Sequence, residues 1–139
     1  MDLTAIKYNE LNSKQKELYN FQKLAGLLAD YGYNCIKLAD DWEGADFLAY
    51  HNDGSQTHKI QLKGRLAIAK KYLEKDIHIA FPMKSEWYIV PHETLILLVS
   101  THTNWLNTSS WKDAGQYNSA NPNLELIASI QKYRVGKSD

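Results

Sequence analysis

Between Ala45 and Lys63 the chain reads ADFLAYHNDGSQTHKIQLK, and this stretch constrains the fold most. Asp53-Gly54 supplies the residues that tolerate positive φ in a tight hairpin turn. FLAY before it and HKIQLK after it are short, apolar-rich runs of strand length. Two such runs about one turn signal predict an antiparallel pair. In the second run Lys59, Gln61 and Lys63 fall on one face of the strand, with Ile60 and Leu62 on the other, because successive side chains of a strand alternate.

Helical periodicity precedes the hairpin. Leu18, Phe21, Leu24, Ala25 and Leu28 recur at three-and-four spacing, which gives a helix one apolar face. Asn12 or Ser13 can cap its start, with Gln15 three residues after Asn12 as in a capping box. Gly32 is suited to the left-handed exit. YNCIKLA from Tyr33 reads as a strand, and ADDWEGA as a polar turn. After the hairpin, Arg65 to Tyr72 is expected as a strand. IHIAFP and SEWYIVP are expected as two more, joined through Met83-Lys84. HETLILLVS from His92 reads as a short helix. Thr101 to Asn123, rich in Asn, Ser, Thr and Trp, reads as a loop. LELIASIQKYRV reads as a closing helix with Leu124, Ile127, Ile130 and Tyr133 inward. Helix, hairpin strands and then helices predict an α+β fold, a mainly antiparallel sheet covered by helices.

The chain has 139 residues, 44% hydrophobic and 23% charged, which suits one domain over residues 1–139 with its own core. Sixteen basic and sixteen acidic residues cancel, so net charge alone points to no polyanionic partner. Cys35 is the only cysteine, which excludes an intrachain disulfide and a cysteine zinc site. Its place in NCIKL suits a small buried hydrophobe. The five histidines lack zinc-binding spacing, and His92 at a helix start suits a structural role. Trp105, Trp111 and Tyr117 suit a core sealed beneath a loop better than base stacking. No G-x-S-x-G elbow is present, so acyl transfer has no support. No apolar run approaches the ~20 residues that span a membrane, and a cytoplasmic protein is the simplest expectation.

The hairpin carries the chemistry. With its strands paired, Asp46 comes near Gln61 and Lys63 at one end. Asp46 and Gln61 offer oxygen ligands, and the Leu62 carbonyl offers a third. Magnesium, which takes oxygen ligands and keeps several waters, suits such a set. Lys63 beside it could orient the attacking water or stabilise phosphate charge. Arg65, Lys70, Lys71 and Lys75 follow and could track a phosphate backbone, or form a solvated charged face.

The strand opening on Gly44-Ala45-Asp46, followed after a hairpin by Gln61-Leu62-Lys63, resembles the PD-(D/E)xK nuclease superfamily, which includes restriction endonucleases and Holliday-junction resolvases. FQKLAGLLADYGYN resembles that superfamily's first helix and its exit. KKYLEKDIHIAFPMKSEWYIVPHETL is similar to its small bacterial members. The likeness spans about Leu18 to Val135. It implies a restriction-endonuclease-like fold: α+β with an α/β core, and a central mixed, mainly antiparallel sheet flanked by helices. It implies a magnesium- or manganese-dependent endodeoxyribonuclease, with Asp46 and Gln61 as metal ligands and Lys63 as catalytic lysine. DNA is the implied partner, and a homodimer is allowed. A further acidic or amide residue on the first helix or a nearby loop would be Gln22, Glu17 or Glu43. Two positions depart from the motif. Gln61 stands where Asp or Glu is usual, and Ala45 where Pro is common. Gln61 removes one negative charge, so the alternative is a catalytically weak or inactive member that binds nucleic acid or a protein.

Overall fold

A computed structural model describes residues 1–136 of the chain. The first helix, α1, runs Ser13–Ala29 behind a complete capping box: the Asn12 side chain accepts from the Gln15 amide and the Gln15 side chain accepts from the Asn12 amide. Such a cap contributes about 1 kcal/mol. The chain leaves α1 through Gly32 at φ +84°. Leu24 and Leu28 are buried, whereas Leu18, expected on the same face, is 45% exposed. It lies beside Lys37, Leu38 and Ala39 at an open edge rather than over the sheet core.

Six strands form the main sheet: β1 (Tyr33–Trp42), β2 (Ala45–His51), β3 (Thr57–Leu62), β5 (Ile77–Met83), β6 (Glu86–Pro91) and β8 (Arg134–Val135), in spatial order β1-β2-β3-β5-β6-β8. The β3–β5 pair is parallel and the other four are antiparallel. The sheet is therefore mixed and mainly antiparallel, as the sequence predicts. Two boundaries differ. The polar residues Ala39 to Trp42 extend β1 rather than forming a turn, and only Glu43-Gly44 turns, with φ of 52° and 87°. As an edge strand with most of its far half exposed, β1 lacks the apolar alternation that marks a strand. The β5–β6 hairpin turns at Lys84-Ser85, both at positive φ without a glycine.

The parallel β3–β5 pair requires a crossover, and the segment from Lys63 to Asp76 supplies it. Only Leu66–Ala69 is a strand, β4, and Lys70–Tyr72 is a single 3-10 turn, so the expected strand to Tyr72 is too long. Residues Thr101 to Asn123 are ordered structure rather than loop. Helix α2 (His92–His102) leads to a 3-10 turn at Trp105–Asn107, to α3 (Ser109–Ala114) and to β7 (Gln116–Ser119). Strand β7 pairs antiparallel with β4 as a two-stranded ribbon outside the main sheet. The last helix, α4 (Leu124–Ile130), is shorter than expected because Arg134 and Val135 join β6. Leu124 is 79% exposed, and Leu126 takes the inward position beside Ile130.

Helices cover both faces of the sheet. On one, α1 packs Leu24 and Leu28 against Phe47, Ala49, Ile60 and Ala80. On the other, Ile79, Phe81 and Val90 meet Leu95 and Val99 of α2, Leu126 and Ile130 of α4, and Leu66 and Ile68 of β4. Each fully buried aliphatic side chain contributes roughly 1.5–3 kcal/mol. Trp105 and Trp111 seal this second core, and Tyr117 stacks on Trp105 at 4.5 Å. His92 is fully buried, and its Nε2 accepts from the Ala69 amide, which ties β4 to α2. Cys35 is only half-buried, beside the α1 core.

Candidate functional site

The β2–β3 ladder pairs Phe47 with Ile60 and Leu48 with Lys59. One further step of that register sets Asp46 opposite Gln61. At this point the strands part. The Leu62 amide donates to the Asp46 carboxylate at 2.8 Å, and the Lys63 amide donates to the Ala80 carbonyl of β5 at 2.8 Å. The carboxylate thus spans the fork where β3 leaves β2 for β5.

Three oxygen donors belong to residues of this fork, those of Asp46, Gln61 and Leu62. Asp46 is half-buried, and burial pushes its carboxyl above the ordinary carboxylate value. The Leu62 amide, and the charges of Lys37 and Lys63, pull it back in part, while Glu17 adds to the rise. Gln61 is 8% exposed, and its Oε1 is buried without a hydrogen-bond partner among the described residues. Its Nε2 reaches the Leu62 carbonyl at 3.5 Å, the outer limit of a hydrogen bond. A buried acceptor left unpaired costs about 1–3 kcal/mol, and it is the feature a hard cation would satisfy. One carboxylate, one amide oxygen and one carbonyl are donors of the type magnesium takes. They carry a single negative charge. Among the described residues no group of three or more His, Cys, Asp or Glu side chains is placed to hold a metal.

Lys63 extends from the fork with its ammonium 5.4 Å from the centre of the Tyr72 ring. Tyr72 is buried, and that burial raises its phenol pKa, so the hydroxyl stays protonated and remains a donor. The ring packs edge-on to His92 and against Gly44. A Cβ at Gly44 would come within 3.2 Å of that ring, at a φ of +87°. Glycine there therefore serves both the turn and the seating of Tyr72. Sequence reasoning passes over Tyr72. Its one signal is that it is the only aromatic residue between Tyr50 and Phe81.

The remaining candidates separate. Glu17 of α1 is felt electrostatically at Asp46 and pairs with Lys37 at 3.6 Å. Gln22 is exposed on α1, away from the packed face, and is not brought to the fork. Glu43 sits in the turn and pairs with Lys75 at 3.4 Å. Arg65 and Lys71 line a groove with Lys63. Lys70 turns away: its ammonium donates to the Lys112 carbonyl at 3.2 Å and lies over Trp111. Trp42 is 55% exposed, with the Lys59 ammonium over its ring.

No protein-family model matches the chain. No curated protein matches it either. Among solved structures it is similar to Archaeoglobus fulgidus Hjc, a Holliday junction resolvase from an archaeal hyperthermophile. The two are 18% identical, with a TM-score of 0.47, over 56% of this chain and 74% of that one. Among the described residues no helix is long and apolar enough to cross a membrane.

Proposed function

We propose that this chain is a metal-dependent nuclease that hydrolyses phosphodiester bonds of DNA, on a restriction-endonuclease-like fold. The observation that carries the reading is the meeting of Asp46, the unpartnered Gln61 Oε1 and Lys63 where β2 and β3 part. Asp46, Gln61 and the Leu62 carbonyl would hold magnesium or manganese. A cation so held supplies Lewis-acid polarisation of the phosphate and acidifies bound water. Lys63 places a donor beside the reacting phosphate, where it stabilises developing charge. The Tyr72 ring restricts where that ammonium goes, at 5.4 Å from its centre. Arg65 and Lys71 hold neighbouring phosphates through charge. Lys70 serves the scaffold instead. Glu17 is the acidic residue of α1 that joins the site's electrostatics. A homodimer would let each copy cut one strand of a duplex.

The test is nicking of supercoiled plasmid with magnesium or manganese, by the parent and by Lys63→Ala. Metal-dependent nicking lost in the variant supports the reading, and equal nicking by both refutes it. The single carboxylate at the fork favours a second reading, a catalytically weak module that binds nucleic acid or a protein. Calorimetric titration with magnesium separates them. A parent that takes up no cation, while still shifting labelled DNA, fits the second.

A further inference from the structure

Beside the fork lies a groove of about 450 Å³, between the start of the crossover and the β4–β7 ribbon. Its two flanks differ in chemistry. Lys63, Arg65 and Lys71 form one, and among the described residues no acidic side chain lines any part of it. Gln116 and Asn118 of β7 form the other. The floor between them is low. Across the ribbon, Ala67 pairs with Asn118 and Ala69 with Gln116, so on the face the two amides share, their partners are methyl groups.

The amide flank is built on fixed backbone. The Lys70 amide donates to the Gly115 carbonyl at 2.8 Å, and Ser110 Oγ donates to the Gln116 carbonyl at 2.7 Å. Tyr117, between the two amides, turns inward onto Trp105. The side chains of Gln116 and Asn118 are themselves exposed and make no hydrogen bond among the described residues. A rigid strand thus presents two uncommitted amides, one strand repeat apart, across a shallow floor from three cations. Cations recognise phosphate charge without regard to sequence. Side-chain amides each carry a donor and an acceptor, the pattern that distinguishes base edges.

We propose that β7 is a base-reading edge. A DNA strand in this groove rests its phosphates on Lys63, Arg65 and Lys71 and turns base edges to Gln116 and Asn118. The proposal rests on the nuclease reading and adds a source of sequence preference to it.

The test uses a labelled duplex with a randomised centre, and its single strand alone. Bound material is sequenced, and affinity is followed against salt. The parent selects bases at one or two positions, with a preference on the order of ten-fold. Gln116→Ala/Asn118→Ala flattens that preference and keeps the salt slope. Arg65→Ala/Lys71→Ala keeps the preference, weakens all sequences alike and lowers the slope by about 0.7–0.9 per cation removed. Melting curves equal to the parent's establish that each variant is folded. A parent without preference on either probe overturns the inference. So does an amide variant that keeps the preference, or one that weakens every sequence equally, since the amides would then be phosphate contacts. Plasmid nicking by the parent and by Lys63→Ala is run alongside. If it depends on metal and Lys63 while the amide variants select like the parent, the inference fails and the nuclease reading stands. If the parent neither nicks nor binds, both fail.

Discussion

Replacing Gln61 by Glu converts the fork from a site with one negative charge into a site with two. The register sets position 61 opposite Asp46, and residues directly opposite in an antiparallel pair have Cβ atoms about 5 Å apart. Two carboxylates at ~5 Å, in a partly buried setting with an effective dielectric near 20, repel by 332/(20 × 5), about 3 kcal/mol. Part of this is relieved by proton uptake and by Lys63, which leaves about 1–2 kcal/mol of lost stability at neutral pH without metal. With a urea slope of about 1–2 kcal/mol per molar for a chain of this size, the midpoint falls by about 1 M in EDTA. Magnesium at a hundred times its dissociation constant returns about 2.7 kcal/mol, which restores the midpoint or exceeds the parent's. The assay is urea unfolding of parent and Gln61→Glu by fluorescence, in EDTA and in magnesium. A variant as stable as the parent in EDTA, and indifferent to magnesium, would show that positions 46 and 61 do not share a cation-binding fork.

Asp46→Asn removes a carboxylate that burial disfavours but keeps an acceptor for the Leu62 amide. Its melting temperature should exceed the parent's at pH 7 while plasmid nicking is lost. The advantage shrinks as pH falls through the raised folded-state pKa and vanishes below the ordinary carboxyl value of 3.8, where both states are protonated; an advantage independent of pH would contradict the desolvation account. Ser85→Gly relieves one of two strained positions in the β5–β6 turn and should stabilise by about 0.5–1 kcal/mol in urea unfolding. His78 and His92 both have pKa values lowered by burial from 6.5, so each is neutral when folded. Their stability is complete above 6.5 and is lost as pH falls below it, because the unfolded chain binds protons first. His92→Gln should flatten the acid side of the curve of melting temperature against pH, and an unchanged curve would acquit His92.

Features whose causes are local could be read from the chain. The Asn12–Gln15 capping box, the Asp53-Gly54 hairpin and the alternation that buries Ile60 opposite Phe47 each depend on residues close in sequence. Reading failed where the cause was distant. Nothing local marks Gln116–Ser119 as a strand, because its partner is β4. Arg134 and Val135 read as helix until β6 captures them. The fork candidates Asp46, Gln61 and Lys63 stood out because strand pairing alone brings them near one another. Tyr72 did not, since its position depends on the turn at Gly44 and on His92 across the core. Lys70 looked equal to Lys71, and the Lys112 carbonyl and the Trp111 ring separate them.

The β4–β7 ribbon has a kinetic consequence. Leu66 pairs with Ser119 and Ala69 with Gln116, contacts that close a loop of roughly fifty residues, whereas β1–β2, β2–β3 and β5–β6 are joined by short turns. Closing a long loop delays a pairing until the elements around it have formed. The ribbon is therefore completed after the hairpins of the main sheet, as is the β6–β8 pair. The ribbon's four-residue ladder has no further strand neighbour, so hydrogen exchange at β7 amides should outpace that at β2 and β3. The groove wall is thus assembled only once the hairpin that carries Asp46 and Gln61 is in place.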